Sequence, residues 1–397
     1  MNEKRGQDLR VGIVGASSRG FSLMETLSRE TGAVITGFAD PSAAALERAR
    51  ERFGEEGITY AKSDTELYEH GQCDAVIVAS GDPWHVENAE AALAHGKDVF
   101  LEKPISQTMD GLRKLVGAWR ESDCIVMVGL ELRHCVVFRE MRRLIDDGRI
   151  GRPVIGMGFD NVSVGGRYYY HDHRRERSYT RSLVLQKGTH TVDLVNWYMG
   201  ARPLRVYCSS GLNVYGQGES GDKRCSECDR VETCRHAIRG EKLETDYGEV
   251  QEIQDHCVFA PGAEVADNSL VLVDYDNGTR AFYGECHFTP EYTREFTLIG
   301  DRGKMMGFYN NACEFEIKIQ SVDEPDRMEV FEPRPTTRGG HGGSEPRAMR
   351  EFGRRLQERD RAEEEFLQVV EGTAICVAAA DSEETGEPVD IPDFRRM

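Results

Sequence analysis

The sequence predicts an α/β chain of two domains: an N-terminal doubly wound parallel sheet of the Rossmann type, then an α+β domain with a large open, mostly antiparallel sheet. Three observations carry this reading. From Leu9 to about Arg149, short β-type runs alternate with helical patterns, as parallel sheets with crossover helices require. A glycine-bearing turn, Gly15-Ala16-Ser17-Ser18-Arg19-Gly20, separates the first such strand from the first helix. After Gly151-Arg152-Pro153 the texture turns β-rich. A chain of 397 residues exceeds the usual size of one core. The division is expected at residues 1–130 and 131–397.

Taken in order, the first domain reads as strand Arg10–Val14 and helix Phe21–Glu30, then strand Val34–Ala39 and helix Ala43–Phe53. Strand Ala75–Ala79 with helix Val86–His95, strand Asp98–Leu101 with helix Gly111–Glu121, and strand Ile125–Gly129 follow. Pro41 and Pro83 stand where two of these helices begin, a place where the missing N–H has no helical acceptor anyway. Gly96 is expected to end the helix before it in a left-handed cap. The second domain reads as strands Val154–Phe159, Leu204–Ser209, Leu270–Tyr275, Thr279–Glu285 and Phe296–Ile299. Asn277-Gly278 reads as a hairpin turn within it. One helix, Thr189–Met199, interrupts these strands, and two more, Glu345–Glu358 and Ala362–Ala380, fall within residues 345–381. The polar stretch 216–257 lacks clear periodicity and reads as an insertion.

Lys plus Arg against Asp plus Glu gives 50 − 69 = −19, a charge that repels nucleic acid and anionic membrane surfaces. No apolar run is long enough to span a bilayer. Met1 to Arg10 is charged and leads straight into Val11–Val14, so no secretory leader is expected. Eleven cysteines are too few for a disulfide scaffold in a chain of this length. The expected compartment is the cytoplasm, and the expected partner is a small molecule.

In the glycine turn, Gly15, Ser17 and Gly20 hold the three places of a dinucleotide fingerprint, with Ser18 and Arg19 among them. Backbone N–H groups at a helix N-terminus there can receive a pyrophosphate. Serine replaces the middle glycine, so the turn is expected to shift or to use the hydroxyl as a donor. Asp40 ends the second strand, where a carboxylate accepts hydrogen bonds from ribose hydroxyls and repels a 2′-phosphate. That favours NAD over NADP. Singly, the glycines read equally well as turn residues and Asp40 as a helix cap.

The stretch Ala79-Ser80-Gly81-Asp82-Pro83-Trp84-His85, then Ala89 to Lys97, then Asp98-Val99-Phe100-Leu101-Glu102-Lys103-Pro104, resembles the Gfo/Idh/MocA family. That family takes its name from glucose–fructose oxidoreductase, inositol dehydrogenase and rhizopine catabolism. Glu-Lys-Pro after a strand is its most recognisable sign. Gly148-Arg149-Ile150-Gly151 matches its interdomain join and Gly386-Glu387-Pro388-Val389 its C-terminal end, so the likeness spans nearly the whole chain. The resemblance implies an NAD(P)-dependent oxidoreductase, with Ser80, Gly81, His85, Glu102 and Lys103 at the cofactor. It further implies that Lys103 is catalytic and touches substrate. Independently, Lys103 follows the carboxyl end of a strand, where open α/β sheets bind ligands. Desolvation there would bring an ammonium toward proton exchange.

Gln186-Lys187-Gly188-Thr189-His190-Thr191-Val192-Asp193 resembles the family's active-site helix start, which more often reads Asp-x-Gly-x-His. The resemblance makes His190 the second catalytic residue, suited to take a hydroxyl proton near neutral pH. Gln186 departs from the aspartate and can only hydrogen-bond, and Lys187 is expected to compensate. Arg133 aligns with a cleft position, and Tyr168-Tyr169-Tyr170-His171 with Arg174 forms an aromatic and basic run. The expected substrate contacts are therefore Lys103, Arg133, Tyr169, His171, Arg174, Gln186, Lys187 and His190. The tyrosine run reads equally as a solvated loop or a subunit contact. Pro290-Glu291-Tyr292-Thr293-Arg294 resembles a segment of some sugar-acting branches and is left outside the site.

Cys225, Cys228 and Cys234 place three thiols within ten residues, and Cys257 or His236 could complete a tetrahedral structural zinc site. Free thiols or a disulfide are the alternatives. Together these readings predict an NAD-dependent dehydrogenase of a secondary hydroxyl or ketone on a sugar, polyol or glycoside. Two other functions compete with it. One is redox-neutral glycoside cleavage by oxidation and elimination on tightly bound NAD; the other is a non-catalytic NAD-sensing regulator, since fold alone never proves activity. The family likeness implies a homodimer or homotetramer.

Overall fold

The computed structural model describes residues 9–218, 223–239, 242–244, 250–252, 254–335 and 340–397. Part of the 216–257 insertion lies outside them. The segment up to Glu131 forms one compact unit with Glu345–Leu367, while Leu132–Ser344 and Gln368–Arg396 form the other. This corrects the expectation that everything after residue 130 lies in the second domain. The helix Glu345–Glu358 contributes Ala348, Met349, Phe352 and Leu356 to the core of the first unit. An amphipathic pattern records that a helix has an apolar face, not which sheet it covers.

The first unit holds six parallel strands: β1 (Arg10–Val14), β2 (Val34–Ala39), β3 (Thr59–Ala61), β4 (Ala75–Val78), β5 (Asp98–Leu101) and β6 (Val126–Val128). Their order across the sheet is β3-β2-β1-β4-β5-β6. The direction of winding therefore reverses between β1 and β4, the switch point where such sheets open a crevice. Helices α1 (Ser18–Thr31), α2 (Ala43–Phe53), α3 (Asp64–His70), α4 (His85–Ala94) and α5 (Met109–Glu121) connect the strands. Ser17, Ser42 and Thr108 cap α1, α2 and α5 with side-chain oxygens, satisfying N–H groups the helices cannot. Pro41 thus stands before the cap, and Pro83 lies in a short 3-10 turn, Asp82–Trp84, that leads into α4. Gly96 is left-handed, as read.

The second unit is built on nine strands: β7 (Pro153–Val162), β8 (Pro203–Gly211), β11 (Asn268–Tyr275), β12 (Arg280–Cys286), β13 (Tyr292–Gly300), β14 (Gly303–Asn310), β15 (Phe315–Ser321), β16 (Glu329–Phe331) and β17 (Val389–Asp390). A separate hairpin, β9 (Lys242–Glu244) with β10 (Val250–Glu252), lies in the insertion. The sheet order is β16-β15-β14-β13-β7-β12-β11-β8-β17, antiparallel except where β7 meets β12. Gly278 adopts positive φ in the turn joining β11 to β12, and its N–H donates to Tyr275.

Helix Thr189–Met199 lies against β7. It sits close because Gly156 and Gly158 carry no side chain: an added Cβ would come within 2.7 Å of Met199 Sδ or 2.8 Å of Thr191 Cγ2. Beside the sheet, Tyr169, Tyr170, Leu183, Tyr215, Val258 and Val265 form a second apolar core. Among the described residues no helix is long and apolar enough to cross a membrane.

Candidate functional site

At the carboxyl edge of the first sheet, Gly15 turns the chain out of β1 with φ +90°. An added Cβ would lie 2.5 Å from Ser80 N and 2.6 Å from the Ala79 carbonyl carbon, so only glycine lets the turn rest on the end of β4. Gly20 is similarly confined, 2.9 Å from Gly15 O. The Ser17 hydroxyl donates to Ala79 O at 3.0 Å and accepts from Gly20 N at 3.2 Å. Serine therefore acts as the cap of α1, and its hydroxyl is committed within the turn. Ser18 and Arg19 occupy the first helical positions, whose N–H groups have no acceptor within the helix.

Asp40 follows β2 and accepts from Ala16 N at 2.9 Å and Ser42 N at 2.8 Å. It ties the glycine turn to the start of α2, and so fills the helix-start role that stood beside the ribose reading. A cradle that a Cβ would fill, a helix start and an anchoring carboxylate meet at the switch point. These residues fit the pyrophosphate of a dinucleotide.

Several expected cofactor contacts take other parts. Arg19 was expected at the phosphates. Its guanidinium instead meets Glu102 Oε1 at 2.7 Å, Glu345 Oε2 at 2.5 Å and Glu131 Oε1. Three carboxylates share one half-buried cation. Burial pushes the Glu131 carboxyl up to about 8; Arg19 opposes that rise, and Glu102 and Glu345 reinforce it.

His85 is buried, with Nδ1 2.7 Å from Pro104 O and Nε2 3.0 Å from Ser80 O. It clamps the loop after β4 to the Lys103-Pro104 turn and presents no edge to a cofactor. Ser80 donates to Asn88, and Gly81 opens the 3-10 turn. Lys103, half-buried after β5, donates its backbone N–H to Glu102 Oε2 at 3.1 Å.

In the second unit, a π-turn over Val184–Gly188 carries Gln186 and Lys187 into helix Thr189–Met199. His190 is buried in its first turn, with the His341 ring 4.9 Å away. Arg133, expected to touch substrate, is buried and bound to Asp193 through two hydrogen bonds of 2.7 and 2.8 Å. It fixes the helix that bears His190.

Arg174 is likewise paired with Asp172. His171 has Nδ1 2.6 Å from His256 O and Nε2 2.8 Å from His236 O, so it pins the lobe rather than facing a ligand. Tyr169 is buried beside His287. Of the predicted contacts in this unit, Lys187 and Gln186 remain half-buried at the head of the helix.

Sequence reasoning missed a polar network beneath this helix. Asp160 accepts from Arg294 and Thr191, and the single Tyr283 hydroxyl proton lies between Glu285 at 2.8 Å and Asp160 at 3.2 Å. Arg294 and Lys187 both donate to the Tyr292 hydroxyl. The Arg294 side chain is fully buried on β13, where it stands among polar residues, Thr293 and Glu295, that gave no sign of its burial.

The cysteines of the expected zinc centre do not gather into a ligand set among the described residues. Cys225, Cys228, Cys234 and Cys257 are free thiols. Among the described residues no three of them bring their sulfurs within 4.8 Å of one another, as a tetrahedral ion would require. The lobe is held instead by the Tyr170 and Tyr215 core and by Asp267, which accepts from the backbone of Asn213, Val214 and Tyr215.

Comparison with known proteins follows the same two-part division. The oxidoreductase family with an NAD-binding Rossmann fold matches residues 9–130, and the GFO/IDH/MocA C-terminal domain matches residues 138–306. The oxidoreductase YteT of Bacillus subtilis (strain 168) is 27% identical over 84% of this chain and 85% of its own. Inositol 2-dehydrogenase of Burkholderia multivorans is 31% identical over 48% of this chain, and the match spans only 55% of that enzyme.

Among solved structures, levoglucosan dehydrogenase with NADH and L-sorbose superposes with a TM-score of 0.75 at 17% identity, covering 98% of this chain and 100% of that one. An oxidoreductase of Agrobacterium radiobacter with NAD+, L-tartaric acid and magnesium gives 0.69 at 17% identity, covering 97% and 99%. At such identities the likeness speaks for the fold.

Proposed function

Because the chain belongs to the Gfo/Idh/MocA family of oxidoreductases, we propose that it is an NAD-dependent dehydrogenase of a secondary hydroxyl on a sugar, polyol or glycoside. The observation that carries this reading is the glycine turn seated on the end of β4 at the switch point. Lys103 follows the neighbouring strand at the same edge of the sheet. Gly15, Ser18, Arg19 and Gly20 would hold the pyrophosphate through backbone N–H groups, and Asp40 favours NAD over NADP. When bound, NAD supplies the hydride acceptor.

The chain's own work is to hold the hydroxyl and move its proton. We assign that work to Lys103 and His190, each half-buried or buried, so that desolvation can bring it toward proton exchange. Gln186 and Lys187 are assigned to the substrate. The substrate class rests on the relatives named inositol 2-dehydrogenase and levoglucosan dehydrogenase. The open face of the large sheet exposes Ile155, Tyr207, Leu270 and Leu272, an apolar patch suited to a second copy. We propose a homodimer or homotetramer joined there.

The test is NADH formation by purified protein across a panel of sugars, polyols and glycosides, with NADP in parallel. Carbohydrate-dependent NADH is the expected result. No reduction of either dinucleotide by any member, together with no binding of NAD, would end the proposal.

A further inference from the structure

The Tyr292 hydroxyl is the meeting point of two cations. Lys187 donates its ammonium to this oxygen, and Arg294 donates from Nη2 at 3.3 Å. Two donors use the lone pairs of a phenol, and its own proton has no acceptor among the described residues. The Tyr292 side chain as a whole is half-buried.

The surrounding charges do not balance without it. Arg294 is neutralised by Asp160 at 2.9 Å, whereas Lys187 pairs with no carboxylate among the described residues. A half-buried ammonium whose close partner is a phenol favours the ionised form of that phenol.

We propose that Tyr292 is a further acid–base residue of this reaction, the group that finally accepts the proton leaving the substrate hydroxyl. The inference rests on the dehydrogenase reading above and adds one residue to it. As the substrate O–H bond breaks, its proton is taken up at Lys103 and His190 and passed on to Tyr292, where an O–H bond forms, and Lys187 and Arg294 keep their protons. The hydride of the adjacent C–H bond would be taken up by bound NAD as the carbonyl forms. Tyr292 then returns its proton to water, and in reduction the sequence runs backward.

The groups facing the phenol agree with this. Burial raises its pKa and Asp160 pushes the same way, but the charges of Lys187 and Arg294 prevail and hold it below the ordinary tyrosine value. Tyr169 and Tyr309, which also face it, are both raised by burial, and so stay protonated where Tyr292 ionises. Gln186, beside Lys187 in the turn, has no proton to exchange.

The experiment is an ultraviolet titration of phenolate in the full-length protein, alongside the pH dependence of kcat. One phenolate should appear below the usual tyrosine pKa of about 10. It should be absent in Tyr292→Phe and displaced upward in Lys187→Met. Tyr292→Phe should lower kcat by about 100-fold with little change in KM.

A wild-type protein without the early phenolate, or a Tyr292→Phe variant with an unchanged pH profile of kcat, overturns the proposal. Should Tyr292→Phe fail to fold, an unmoved phenolate in Lys187→Met overturns it equally. An early phenolate without carbohydrate-dependent NADH would instead reject the dehydrogenase reading, and Tyr292's part in it.

Discussion

The Arg133 guanidinium grips the Asp193 carboxylate through two parallel hydrogen bonds, 2.7 and 2.8 Å long, with both side chains out of reach of solvent. Asp193 lies three residues after His190, so the pair fixes the first turn of the helix that carries the histidine. Removing one partner leaves a buried charge without its counter-ion. Arg133→Ala should cost about 3–5 kcal/mol in chemical denaturation. Arg133→Lys should recover only part of this, because an ammonium cannot form the bidentate pair.

Gly15→Ala tests the glycine turn. Its Cβ would meet the backbone of Ala79 and Ser80 at 2.5–2.6 Å, and the positive φ adds strain. The variant should lose about 1–3 kcal/mol of stability. NAD affinity, measured by calorimetry, should fall more steeply than stability does.

Glu131 gives a signed pH dependence. Its folded pKa, about 8, lies above the value of an exposed carboxyl. Its stabilising contribution is therefore full at low pH and is lost as pH rises through about 8, because the unfolded chain ionises first. Glu131→Gln removes the ionisation. Its melting temperature relative to wild type should rise as pH climbs from 6 to about 8 and level off above that. A difference that does not change with pH would show that Glu131 is ionised throughout.

Leu272→Arg places a charge on the open face of the large sheet, where Leu272 is 54% exposed. Light scattering should report a smaller assembly with the fold retained by circular dichroism. An unchanged mass would move the interface elsewhere.

Much of the fold was legible because its signals are local. The β/α alternation, the left-handed Gly96 and the helix Thr189–Met199 depend on residues within one or two turns of each other. β3 has three residues and α3 seven, too few for a period to show. β14 went unread although its burial alternates, because glycines and methionines blur that alternation in the sequence, whereas β15, Phe315-Glu316-Ile317-Lys318-Ile319-Gln320, alternates openly and was missed. A motif named Gly15 and Gly20, and both are confined against the backbone of the turn as that motif implies. The site was not legible where long-range partners decide. Arg19 looked free to meet phosphate, yet one of its carboxylates arrives 326 residues later. His171 and Arg174 looked like sugar contacts until carbonyl groups and Asp172 claimed them. Tyr292 was left outside the site because Lys187, which gives it a chemistry, is 105 residues away.

The most direct measurement separates holding NAD from using it. NAD affinity and carbohydrate-dependent NADH formation are compared in wild type, Lys103→Met and His190→Ala. Both variants should bind NAD as wild type does and should lose at least about 100-fold in turnover. Undiminished turnover in both would contradict the assignment of the proton to these two residues.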